Sequence, residues 1–151
     1  MSLRPTFLLL TCILFAGCET TSVPDRFAAV PPQVQPVSGE VEEVYAAAQK
    51  AFKRLDFTVT RAVMGRVEAA STIKTSVAFG DSKQLVARVR ITQGEPGKSE
   101  VELSLTEEVS SKSMGGTRQQ ALREHSFFQT YFAVLQQVLH ERAADRAAEK
   151  K

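Results

Sequence analysis

The sequence predicts a two-layer α+β domain, in which a four-stranded antiparallel sheet packs an N-terminal and a C-terminal helix on one face in the order α-β-β-β-β-α. Apolar residues recur with a period of 3.6 over 41–55 and again over 128–139, which predicts the two helices. Between them, apolar and polar residues alternate with a period of two and glycine-containing turns separate the runs. Strands joined by short turns pair antiparallel. Residues 38–142 are expected to form the domain, and 143–151 a charged tail.

Length and composition set the broad class of protein. A chain of 151 residues has room for one domain of ordinary size. Its 43% apolar and 24% charged residues describe a globular protein rather than a disordered chain or a multi-span membrane protein. Nineteen basic and seventeen acidic side chains give a net charge of +2, too near balance for a dedicated nucleic-acid binder.

The first helix is predicted over 41–55. Its apolar face consists of Val41, Val44, Tyr45, Ala48, Phe52 and Leu55. Glutamates over 40–43 and basic residues over 50–54 complement the helix dipole. Asp56 is expected to end the helix, because aspartate tolerates the left-handed conformation better than most residues.

Four strands are predicted after this helix. They cover 57–62, 66–75, 85–92 and 100–105, with turns at Gly65, 80–82 and 94–97. The solvated face of the last two strands carries Arg88 and Arg90 beside Glu100 and Glu102. Opposite charges on neighbouring strands help to set the register. A catalytic carboxylate pair is the alternative interpretation of the two glutamates.

The stretch 110–124 is expected to be irregular, with 114–117 (Met-Gly-Gly-Thr) as a flexible connection or, alternatively, an anion-binding nest of backbone amides. The last helix follows. Its apolar face consists of Phe128, Tyr131, Phe132, Leu135, Val138 and Leu139. These aromatic side chains are expected to cover the core, since each can bury about 150–250 Å². A ligand pocket is the alternative.

The N-terminus predicts an export signal over 1–17. Arg4 is followed by an uncharged run, 7–17, that is too short to cross a bilayer, which takes about 20 residues. A basic start, a short apolar run and small residues at its end are typical of a secretory signal peptide.

The end of this segment, Ala16-Gly17-Cys18, resembles a bacterial lipobox, although Phe15 stands where that family usually has leucine. The resemblance implies cleavage before Cys18, lipid on its thiol, and acylation of the new amino terminus. Two or three acyl chains would hold the protein on a membrane, whereas one chain binds only marginally. Glu19, where an aspartate would retain the protein in the inner membrane under the enteric sorting rule, implies the periplasmic face of the outer membrane.

Residues 18–37 are predicted to be the lipidated N-terminus and a proline-rich tether. This stretch contains four of the six prolines and has neither a helical nor a strand period. Extended polyproline geometry would let nineteen residues reach roughly 60 Å. A docking ligand for another protein is the alternative interpretation.

No catalytic, cofactor-binding or metal-binding set is predicted. His125 and His140 are the two histidines, and about 22 Å separates them along one helix, too far to share a metal. The glycines at 115–116 lack the Lys-Ser/Thr pair of a phosphate-binding loop. The lipobox resemblance implies that Cys12 would leave with the signal and that Cys18 would be lipidated, so no disulfide is expected within the mature chain.

The element order resembles the helix-grip domains of some outer-membrane lipoproteins, including the lipoprotein accessory of the β-barrel assembly machine, and several families of small bacterial lipoproteins. The resemblance implies a fold over 40–140 and no functional residue. The predicted function is a non-enzymatic, membrane-anchored envelope lipoprotein with a protein partner or a structural role. Its partner surface is a sheet edge or 110–124. The alternatives are a carrier of an apolar ligand, bound among Phe52, Val89, Leu103, Phe128 and Tyr131, and a periplasmic hydrolase.

Overall fold

A computed structural model describes residues 30–76, 80–111 and 115–149. It has an antiparallel sheet and two helices, so the predicted α+β class is confirmed. The elements are β1 (Gln33–Ser38), α1 (Val41–Arg54), β2 (Thr58–Val63), β3 (Arg66–Ala70), β4 (Lys74–Thr75), β5 (Ser82–Gln93), β6 (Lys98–Ser111), β7 (Gly116–Leu122) and α2 (Ser126–Glu149).

The sheet is built around the long hairpin of β5 and β6. Its strand order is β1-β6-β5-β3-β2, while β7 pairs with the second half of β6 and β4 with the start of β5. Every pair is antiparallel. The predicted turn at 94–97 joins β5 to β6, and Gly97 supplies the positive φ of 76° that this turn requires.

The prediction of four strands is wrong, because the described residues form seven. One of the additional strands is β1, which takes 33–37 out of the predicted tether and pairs them with Ser99–Leu103 of β6. Pro36 is compatible with a strand there because β1 lies at the sheet edge, where the missing N–H leaves no ladder bond unmade. Val37 is buried in the core, and this burial helps to hold the strand in place.

The second correction concerns 110–124, predicted to be irregular. Residues 105–111 of β6 and 116–122 of β7 pair as a hairpin. The side chains of β7 are almost all exposed, so an apolar alternation that could reveal the strand is missing. Backbone hydrogen bonds to β6 hold it instead.

The third correction concerns the strand predicted over 66–75, which is divided into β3 and β4. Ser71 causes the break: its N–H donates to the carbonyl of Leu85 at 2.8 Å, and its hydroxyl accepts from the N–H of Leu85 at 3.0 Å. Ile73, an apolar residue within the predicted strand, lies in the break and is 57% exposed.

The core lies between the two helices and one face of the sheet. The buried face of α1 is rotated relative to the predicted one. It is centred on Ala47, Ala48 and Ala51, which are fully buried, while Val41 and Tyr45 are only partly covered. The residues of α2 that contribute most are Phe128, Tyr131, Phe132, Leu135 and Val138. The two helices therefore bury the face of the sheet that carries the strands' apolar side chains.

The end of α1 is confirmed at Asp56, which has a φ of 59°. Left-handed geometry is costly for residues with a Cβ and almost free for glycine. We expect Asp56→Gly to raise the free energy of unfolding by about 0.5–1 kcal/mol and Asp56→Ala to lower it by a similar amount. Urea unfolding followed by circular dichroism measures both. Equal stabilities for the two variants would contradict a strained conformation at this position.

Candidate functional site

The face of the sheet opposite the helices carries a cluster of charged side chains. Residues directly opposite each other on paired strands share a face. Arg66 of β3 is opposite Arg90 of β5, which is opposite Glu102 of β6. One row along, Glu68 is opposite Arg88. These strands therefore bring together side chains that are far apart in the sequence.

A β-bulge adds a further arginine to this face. The pairing of β2 with β3 shifts between Val59 and Arg61, so that Val59 is opposite Ala69 while Arg61 is opposite Glu68. In a regular strand, Val59 and Arg61 would share a face because they are two residues apart. The extra residue of a bulge turns the following side chains over, and Arg61 joins the charged face.

Together these residues form a groove of about 540 Å³. Its lining includes Val30, Pro32, Arg61, Val63, Arg66, Glu68, Arg88, Arg90, Glu102 and Ser104. We call Arg61, Arg66, Arg88 and Arg90 the arginine face. Four guanidinium groups against two carboxylates make the groove locally cationic, although the whole chain is close to neutral.

The predicted charge pairing across β5 and β6 is correct only in part. Arg90 is directly opposite Glu102, as expected, but Arg88 is opposite Ser104. Arg88 pairs instead with Glu68 of β3, with 3.3 Å between Nε and Oε2. Glu100 is opposite Thr92 and does not line the groove.

Most of the arginine face forms no ion pair in the described structure, although Glu68 is opposite Arg61 and Glu102 is opposite Arg90. Within the described part of the chain, Arg61, Arg66 and Arg90 form no ion pair. Like charges directly opposite each other weaken a strand pair, so the juxtaposition of Arg66 and Arg90 is locally unfavourable.

The groups with displaced pKa values lie away from this groove, and two of them form an ion pair between the helices. Glu141 of α2 accepts two hydrogen bonds from the Arg54 guanidinium of α1, at 2.9 Å and 2.5 Å. These bonds hold the pKa of Glu141 below its usual range and raise the pKa of Arg54. A second ion pair joins Arg146 to Glu43. Both pairs connect the two helices on the solvent side, and the second one ties down the start of the predicted charged tail.

The two histidines belong to α2 and its N-terminal cap. His125 precedes the helix, and its Nδ1 accepts a hydrogen bond from the N–H of Phe127 at 3.1 Å. His140 lies further along, with 2.9 Å between its Nδ1 and the carbonyl oxygen of Gln136. No three His, Cys, Asp or Glu side chains in 30–76, 80–111 and 115–149 are placed to hold a metal ion.

A second groove, of about 510 Å³, lies where α1 ends and α2 begins. Asp56, Phe57 and His125 line one side, and Lys83 and Glu107 approach each other to 3.8 Å on the other. The groove combines both signs of charge, and its one ion pair is partly exposed. It therefore has a weaker electrostatic preference than the arginine face.

The five residues predicted to line an apolar ligand site are in the packed core. Phe52, Val89, Leu103, Phe128 and Tyr131 are each at most 2% exposed. The rings of Phe52 and Tyr131 are in contact, with centroids 4.7 Å apart. The space between helices and sheet around these rings is therefore filled by protein side chains.

Tyr131 is unusual within this core, because its hydroxyl is buried without a hydrogen-bond partner among the described residues. Burial raises the pKa of this phenol well above its usual range. A buried hydroxyl without a partner stabilises nothing and loses its hydration. We expect Tyr131→Phe to leave the free energy of unfolding unchanged or to raise it by up to about 1 kcal/mol.

Thermal or urea unfolding tests this expectation, with Tyr45→Phe on the partly buried side of α1 as the matched control. A loss of more than about 1 kcal/mol on Tyr131→Phe alone would show that the hydroxyl has a partner such as a bound molecule.

The comparisons with known proteins give no family. No protein-family model and no curated protein matches the chain. Among solved structures, it is similar to the adenylate sensor from AMP-activated protein kinase, at 19% identity and a TM-score of 0.37 over 70% of this chain and 94% of that one. It is also similar to a DUF4468 family protein from Bacteroides ovatus, at 12% identity and a TM-score of 0.33 over 61% and 66%. Similarities this distant carry no argument about function.

Two of the predicted partner surfaces, a sheet edge and 110–124, contain exposed strands. The edge strand β2 is exposed over most of its length, as is β7 within 110–124. The signal segment 1–17 and the lipidation site Cys18 lie outside the described residues. Neither described helix meets the length and hydropathy needed to cross a membrane.

Proposed function

We propose that the protein is a membrane-anchored lipoprotein of the bacterial cell envelope, whose domain acts without catalysis as a protein-interaction or structural module. The observation that carries this proposal is Ala16-Gly17-Cys18 directly after an uncharged run of lipoprotein-signal length. Lipid on Cys18 would hold the chain at a bilayer without a spanning helix. Glu19 favours the periplasmic face of the outer membrane.

The chemistry of the described residues supports a non-catalytic module. Enzymes concentrate displaced pKa values in a cleft, where they tune acids and bases. Here the displaced groups are Arg54 and Glu141, which join two helices, and Tyr131, which is in the core. The arginine face offers charge for binding.

Intact-mass spectrometry of protein extracted from the membrane fraction tests the anchor. We expect a chain that begins at residue 18 and carries the added mass of two or three acyl chains. A chain that begins at Met1, or one that is released into the medium without lipid, would contradict the proposal.

A second candidate is a carrier of an apolar ligand. The observation in its favour is the unpartnered hydroxyl of Tyr131, which the polar atom of a bound molecule would satisfy. Native mass spectrometry of the purified protein separates the two functions. A co-purified lipid in the folded domain would support the carrier, while a bare domain mass would support the packed core.

A further inference from the structure

We propose that the arginine face lies against the anionic headgroups of the bilayer in which Cys18 is anchored. This inference rests on the proposed lipid anchor and adds the orientation of the domain and the lipid chemistry that it contacts. The arginine face lies on the sheet surface that the helices leave uncovered.

The chain enters the domain on the side of the arginine face. Val30 and Pro32, the first part of the described chain, line the same groove as the arginine face. Eleven residues separate Val30 from Cys18, a connection that spans at most about 40 Å. If the helices faced the bilayer, the chain would have to pass a helix layer and a sheet with a combined thickness of about 20 Å. With the arginine face toward the bilayer, the connection is direct.

Lipid phosphates are complementary in charge to the arginine face. Guanidinium groups bind phosphate oxygens through paired hydrogen bonds, so arginine is well suited to lipid phosphates. Arg66 and Arg90 are directly opposite each other, and neither forms an ion pair among the described residues, although Glu102 is on the other side of Arg90. A phosphate between them would replace repulsion by two favourable contacts. A bound lipid phosphate would therefore account for two arginines that repel each other in the free protein.

Exposed apolar side chains border the groove on the β1 side and the β2 side. Val34, opposite Glu102, is 50% exposed, and Val63, opposite Arg66, is 53% exposed. Met64, at the turn between β2 and β3, is 58% exposed. Exposed apolar side chains around a cationic centre are suited to the boundary between headgroups and acyl chains.

The experiment uses the mature lipoprotein, purified in detergent and reconstituted into vesicles of phosphatidylcholine with or without phosphatidylglycerol. A Thr92→Cys substitution places a fluorophore on the same sheet face, beside the groove and outside its lining. Gln129→Cys places the same fluorophore on the exposed side of α2. Nitroxide quenchers attached to the lipid headgroups then report which label is near the membrane surface.

In the anionic vesicles, we expect quenching of the label at 92 to be at least about three times as strong as quenching of the label at 129. This difference should shrink in neutral vesicles and at high salt. Arg66→Glu should remove the difference while leaving the domain at least as stable, since it creates an opposite-charge pair with Arg90. Arg118→Glu, the same charge change on exposed β7 outside the groove, should preserve the difference.

Equal quenching at 92 and 129 in anionic vesicles would overturn the proposed orientation. An unchanged difference in quenching between the two labels in Arg66→Glu would also overturn it. Equal quenching of the two labels is the result expected if the arginine face binds an acidic protein instead. If the intact mass shows no lipid on Cys18, both the anchor and the orientation are wrong. The mass and the quenching therefore distinguish failure of the proposed function from failure of this inference.

Discussion

Replacing Phe52 with alanine is expected to lower the free energy of unfolding by about 3–5 kcal/mol. Phe52 is fully buried, and the centroid of its ring is 4.7 Å from that of Tyr131 and 6.0 Å from that of Phe57. It therefore joins α1 to α2 and to the chain that enters β2. Removing the ring loses its transfer free energy and leaves a cavity that the surrounding rings fill only partly. Since domains of this size are stable by about 5–15 kcal/mol, the loss is a large share of the total.

Urea unfolding followed by far-ultraviolet circular dichroism measures this loss. Lys53→Ala, an exposed position one residue further along α1, is the matched control and should change stability by no more than about 0.5 kcal/mol. A loss below about 1 kcal/mol for Phe52→Ala would contradict the packed aromatic cluster and would favour a space that can hold a ligand.

Replacing Cys18 with serine is expected to abolish lipid attachment. The thiolate is a far stronger nucleophile than a serine hydroxyl, so the thioether to lipid does not form. Each buried methylene of an acyl chain contributes roughly 0.8 kcal/mol to membrane binding, and this contribution is lost with the lipid. When cells are grown with an alkyne-labelled fatty acid, incorporation of the label into the Cys18→Ser protein should be about tenfold or more below that of the unaltered protein, at the background level.

The matched control is Cys12→Ser, since Cys12 lies in the predicted signal segment, upstream of the proposed cleavage site. This variant should keep its fatty-acid label and its sedimentation with the membrane fraction. Undiminished label in Cys18→Ser would contradict lipidation at this position. Together with Phe52→Ala, the experiment separates the anchor from the fold, because Cys18→Ser leaves the core intact.

The parts of the fold that were predicted well depend on local signals. The period over 41–55 and the tolerance of Asp56 for positive φ specify α1 and its end, which the structure confirms. The alternation in β5 and β6 and the glycines at 94–97 likewise specify a hairpin. In both cases the interacting residues are close in sequence, so the pattern contains the information.

The parts that were missed depend on partners far along the chain. Strand β1 has a proline and no clear alternation, and forms because its backbone pairs with β6 more than 60 residues away. Strand β7 exposes nearly all of its side chains, so composition gives no sign of its ladder. Backbone hydrogen bonds are available to almost any residue, which is why these strands could not be read from side-chain patterns.

The arginine face shows the same division. The alternation placed Arg88 and Arg90 on a solvated strand face, but whether Arg66 or an acidic residue is opposite Arg90 depends on the pairing of β3 with β5. Arg61 reaches the groove only because a bulge in β2 turns its side chain over. The sequence by itself determined α1 and the hairpin of β5 and β6, and it is the source of the proposed lipid anchor, because these depend on short-range periodicity and local motifs. Tertiary structure alone decided the seven-stranded sheet and its cationic groove, because strand pairing joins residues whose separation leaves no local trace.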